Sequence, residues 1–264
     1  MIEKCKDALR KDDLEKAIEY GKRAVEMYPN NFDSYFCLGK AYHRMRQPEL
    51  AYENFKKAEE LASSKEDLAS IYEYIGRILA IIGKLDDALT YYNKALGLTK
   101  EIGGKAAPLL RTIAEIYFKK GDLDKALDYY DAAFTAGEEE GASKEFMAEI
   151  INDMSIIYAE LGFYKEAITL LKDLILFGNL SENDHIVYVA EINLGAVYGA
   201  MGNKEAAKRY LSMGLNHVKK IGDKYWEAVA YFHLGRILNK KKYSDKANEI
   251  FKEIGVAGVN HWIS

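Results

Sequence analysis

The residues able to do chemistry are few and scattered. The five histidines are His43, His185, His217, His233 and His261, and no two stand at the spacing of a metal site. The two cysteines, Cys5 and Cys37, make no CxxC pair. Each falls inside an expected helix, so they read as small buried thiols of a reducing compartment. Glycine-rich phosphate loops, GxSxG and HExxH are absent. The glutamates at 138–140 and the lysines at 240–242 sit at helix ends as solvated runs, and lysines there suit the negative pole of a helix. The sequence therefore offers no catalytic residues, no metal ligands and no cofactor site. It points to a protein that works by binding.

The elements that must present any binding residues are helices. Of 264 residues, 49% are hydrophobic and 30% charged, and only Pro29, Pro48 and Pro108 break the chain. Alternating runs of β-branched residues are hard to find, which favours an all-α protein. A net charge of −4 gives no general attraction to nucleic acid or an acidic membrane. There is no run of 18 apolar residues, and the opening MIEKCKDALRKDD has no apolar core of signal-peptide length. A soluble, cytoplasmic protein is expected.

Ile113 to Phe134 shows the repeating figure. Ala114 and Tyr117 share a helix face, Gly121 breaks the chain, and Asp122 is placed to cap a second helix carrying Ala126, Tyr130 and Ala133. The figure recurs from anchors at Cys5, Gly39, Gly76, Ala114, Ser155, Gly195 and Gly235. Twelve residues past each anchor stands an alanine: Ala17, Ala51, Ala88, Ala126, Ala167, Ala207 and Ala247. Sixteen past come Gly21, Phe55, Tyr92, Tyr130, Leu171, Leu211 and Phe251. Small residues let two helices approach, and the large ones fill the space between repeats.

This pattern resembles the tetratricopeptide repeat family, most clearly at Gly39/Tyr42/Ala51/Phe55/Ala58 and Ala114/Tyr117/Gly121/Ala126/Tyr130/Ala133. The resemblance implies a right-handed superhelical solenoid of about seven helix-turn-helix units, forming one domain over 1–264. The units fall near 1–30, 31–66, 67–104, 105–143, 144–181, 182–223 and 224–254, and a tail at 255–264 is expected to fold over the last helix. The alanines lie 34, 37, 38, 41, 40 and 40 residues apart, so most units are lengthened. That spacing is similar to peptide-sensing bacterial regulators, kinesin light chains and animal polarity adaptors.

In this family the first helix of each unit lines a concave groove. Carried over by position, the expected partner-binding residues are Lys6 and Arg10; Phe36, Lys40, His43 and Arg44; Arg77; Arg111, Phe118 and Lys119; Asn152 and Ile156; Ile192 and Ala196; and Phe232, Arg236, Asn239 and Lys240. The full inward set holds nine cations and five anions, a balance of +4 on a chain of −4. The groove is thus expected to be basic over the first four units and apolar near the sixth, suited to a protein or peptide segment with acidic and apolar residues. The family's clamp on a C-terminal carboxylate is not matched, because Phe36, Lys40 and Tyr74 occupy its places. Two other readings stand beside a scaffold: a ligand-sensing module of a regulatory system, and a structural repeat that self-associates through its ends. Neither nucleic acid nor membrane insertion is expected.

Overall fold

Short polar side chains start most of the helices. Asp13, Asn31, Ser64, Ser143, Asn183, Asn203 and Asp223 each accept a hydrogen bond from the backbone N–H three residues on. Asp122 does the same for Lys125 at 3.3 Å. The computed structural model describes residues 1–258, and its elements are all helical. They run α1 Ile2–Arg10, α2 Leu14–Met27, α3 Phe32–Arg44, α4 Pro48–Leu61, α5 Lys65–Ile81, α6 Leu85–Glu101 and α7 Ala107–Lys119. They continue as α8 Leu123–Glu139, α9 Lys144–Glu160, α10 Tyr164–Leu180, α11 Asp184–Ala200, α12 Lys204–Ile221, α13 Lys224–Leu238 and α14 Lys241–Glu253.

One left-handed residue closes each hairpin turn. Gly83, Gly121, Gly162 and Gly202 hold φ between 78° and 81°, and Asp12, Arg46 and Asn239 take the corresponding turns at 59°, 56° and 51°. Packing inside the hairpins follows the repeat. All seven register alanines are completely buried. A Cβ on Gly39 would lie 2.9 Å from the Phe55 ring, and one on Gly76 would lie 3.1 Å from Tyr92. The anchor is small because the aromatic sixteen residues later lies against its backbone.

The chain forms two compact bodies, Met1–Ala136 and Gly137–Ser264. In the first, α1 through α7 pack in sequence order, and α1 also lies on α3. In the second, α9 through α14 pack in order, and α11 also meets α9 and α13. The core there gathers Ile192, Leu211, Val229, Leu234 and Phe251, with Ile254 and Val256 against it. The rest of the expected tail contact, through Val259, Trp262 and Ile263, lies outside the described residues. No helix among the described residues is long and apolar enough to cross a membrane.

One sequence expectation is corrected. Cys5 and Cys37 are not free thiols but form a disulfide between α1 and α3, with Cα atoms 6.4 Å apart. Both sit in a small cluster with Ala8, Leu9, Ala17 and Ala41. Adjacent first helices bring an anchor beside a position two residues before the next anchor.

Candidate binding surface

In α3, Phe32, Phe36, Lys40 and Arg44 recur every four residues and so share a face; Lys6 and Arg10 do the same in α1. Because α1 lies on α3, these faces border a cleft of about 510 Å³, which Leu9, Asp33 and Cys37 also line and Asp67 of α5 closes. Lys6 Nζ stands 3.1 Å from Asp33. Burial works against the Lys6 charge, but the Asp33 carboxylate outweighs it and holds the ammonium above its usual range. Arg44 donates to the Leu9 carbonyl and to Asp12, each at 2.5 Å, which ties α3 to the end of α1.

Lys40 differs from its neighbours. Among the described residues it takes no ion pair, and its Nζ stands 5.4 Å from the Phe36 centroid and 5.7 Å from Tyr74. Phe36 is also stacked on Phe32 at 5.1 Å and meets Phe55 and Tyr74 edge-on, each at 5.7 Å. His43 also meets Tyr74 edge-on, at 5.7 Å. Burial, and then the charge of Arg77, hold His43 below its ordinary pKa, so it is neutral at pH 7. The result is an aromatic floor with one uncommitted ammonium above it.

The other expected residues divide by environment. Arg10 pairs with Asp7, Arg77 with Glu73 at 2.5 Å, and Arg111 with Glu115 at 3.5 Å, each within its own helix. Arg77 also stands 5.8 Å from the Tyr74 ring. Much of the basic surplus read from the sequence is therefore balanced locally, partly by Asp7 and Asp12, which lie outside the inward set. On α7, Phe118 is half-buried and Lys119 exposed. In the second body, Asn152 of α9 accepts from Asn193 of α11 at 2.6 Å and so joins two helices. Ile156 is buried.

Ile192 and Ala196 are corrected outright. Both are completely buried, so the apolar stretch of α11 is core and not groove. The α11 sequence is apolar almost all round, which is the mark of a helix covered on every side. Phe232 packs against the same core. Arg236 and Lys240 are exposed at the end of α13, and Asn239 caps that helix in the left-handed conformation. Phe32 and Tyr74 belong to the site, although neither was among the expected residues. The four-residue step back from Phe36 was the signal for Phe32.

Comparison with known proteins places these features among repeats of one kind. A family model described as tetratricopeptide repeat matches residues 32–101 and 105–175. Superkiller complex protein 3 of Homo sapiens is 25% identical over 164 residues, 60% of this chain and 10% of that protein. The chain thus spans about a tenth of that relative's length. A signal transduction ATPase with numerous domains and a tetratricopeptide repeat sensor, from Pyrococcus horikoshii, superimposes with a TM-score of 0.76 at 19% identity, covering 96% of this chain and 41% of that one. A Rap protein complexed with Competence and Sporulation Factor gives a TM-score of 0.70 at 15% identity, covering 93% and 68%. At such identities these structures show a shared fold.

Proposed function

We propose, from the premise that this chain belongs to the tetratricopeptide repeat family, that it is a non-catalytic scaffold which binds a protein segment in the cleft between α1 and α3. The observation that carries this reading is Lys40, an ammonium with no ion pair among the described residues, poised over Phe36 and Tyr74 beside an open cleft. A carboxylate on the partner would meet Lys40, and an apolar side chain next to it would meet the Phe32 and Phe36 rings. Arg44 and Lys6 are already engaged and shape the cleft more than they recruit.

The Rap protein's complex with Competence and Sporulation Factor supports a ligand-holding role for this kind of fold. The Pyrococcus neighbour, whose repeats form a sensor, favours a second reading in which the chain is the sensing part of a regulator. A cytoplasmic location goes with reduced cysteines, whereas the Cys5–Cys37 bond suits an oxidising compartment.

The test is capture of partners from native lysate by the protein and by Lys40→Glu, at low and high salt, with helicity checked for both. Reversing one half-buried cation that sits over a ring is expected to weaken the partner about tenfold. A partner retained equally by the variant and at high salt places the site elsewhere.

A further inference from the structure

We propose that the body Met1–Ala136 carries a second docking surface, built on α4, the end of α5 and the start of α6, for a partner segment that sets arginine or lysine beside apolar side chains. The surface is a cleft of about 470 Å³. Ile78 and Leu79 form its buried floor, and Ile82 forms an apolar lip that stays 45% exposed. Tyr52 and Tyr91 form a wall. Burial raises the Tyr52 phenol above its ordinary pKa, so it stays neutral there.

The rim gives the surface its sign. Glu49, Glu53 and Asp87 stand against one cation, Lys84. None of the three carboxylates is in an ion pair among the described residues, although nearby acids are: Glu59 takes Lys56, Asp86 takes Lys120 and Glu101 takes Lys65. Glu49 and Asp87 lie in first helical turns, where the helix dipole alone favours an anion. Glu53 lies one turn deeper and lacks that reason.

Acids alone would not make a site. Here they surround an apolar floor with an uncovered lip, so the chemistry of the occupant follows from complementarity. Three carboxylates and one ammonium repel an acidic segment and attract a basic one, while the floor selects an apolar side chain next to the charge. The wall also accepts cations: Lys94 already stands 5.0 Å from the Tyr91 centroid. This chemistry is the reverse of that in the α1–α3 cleft, so the two surfaces would take different segments.

The test uses fluorescence anisotropy with three short synthetic peptides: leucine with arginine, leucine with glutamate at the same spacing, and arginine with glycine. The leucine–arginine peptide should bind the intact protein in preference to both others. Glu53→Lys with Asp87→Lys should weaken it about tenfold. Ile82→Ser should weaken it several-fold, and Lys40→Glu should leave it unchanged, which separates this surface from the first. Circular dichroism checks each variant. If the double reversal fails to fold, Ile82→Ser and the salt dependence of the intact protein decide. No detectable binding of the leucine–arginine peptide overturns the proposal, as does equal affinity for the arginine–glycine peptide or indifference to the substitutions. Self-association of the chain that the double reversal abolishes also overturns it, because the occupant would then be a second copy.

Discussion

Breaking the Cys5–Cys37 bond should loosen the first helix and leave the rest of the molecule almost untouched. The bond closes a loop across a sequence separation of 32. Loop-closure entropy for that length amounts to about 3.7 kcal/mol at 25 °C, an upper figure because real denatured chains keep some structure. Besides the Lys6–Asp33 pair and the Arg44 contacts at its end, α1 is held by burying only Cys5, Ala8 and Leu9 against its neighbours, α2 and α3. The perturbation is Cys5→Ala with Cys37→Ala, compared with the oxidised protein and with protein reduced under denaturant and refolded in reductant. Hydrogen exchange read by mass spectrometry is the assay. The α1 amides should open about 2–4 kcal/mol more easily without the bond, a loss of protection of about 30- to 1000-fold. Amides of α9 to α14 should not change. Equal α1 protection with and without a bond verified by mass would refute the reasoning, and so would a uniform loss along the chain.

Other outcomes follow from single sites. Glu191 is almost completely buried, with His217 Nδ1 2.8 Å from its carboxylate; burial raises its pKa, and the histidine only partly opposes this. The folded protein therefore holds this proton more tightly than the unfolded chain, so its contribution is largest below about pH 4.3 and is lost as pH rises through the raised folded value. Thermal midpoints across that range should show Glu191→Gln gaining on the parent as pH rises, and parallel curves would count against this. Gly39→Ala should cost about 1–3 kcal/mol in denaturant unfolding, because the new methyl would press on the buried Phe55 ring. Asn239→Ala should cost about 1 kcal/mol by the same measurement, because the residue must hold φ 51° at the end of α13. Asn239→Gly should cost nothing there.

The fold was legible because its rules are local and repeated. Ala51, Ala88 and Ala126 could be set in register without coordinates, and all are completely buried. The turn glycines and the Asp122 cap were equally readable, since a helix end needs a particular backbone shape and an acceptor. The binding face was harder. Position in a repeat tells which way a side chain starts, not what meets it at its tip. Arg77 and Arg10 leave their helices as free cations on paper and find Glu73 and Asp7 within the same helix. Ile192 occupies an inward position by counting, yet neighbouring helices cover it. The apolar girdle of α11 carried that information, and the positional count did not use it. The disulfide escaped because its partners lie 32 residues apart on helices that become neighbours only once the repeats stack.

That ordered stacking also governs how the N-terminal body would yield to a pulling force. Helices that pack in sequence order can peel away one hairpin after another, each releasing its own length of thread. The Cys5–Cys37 bond interrupts this by fastening two points of the thread together. The 32 residue steps between them amount to about 110 Å of extended chain, and only the 6.4 Å between their Cα atoms stays measurable while the bond holds. In an optical trap the oxidised molecule would reach full tension about 100 Å sooner than the reduced one. A ruler laid along the stretched chain would then report the chemical state of two sulfurs.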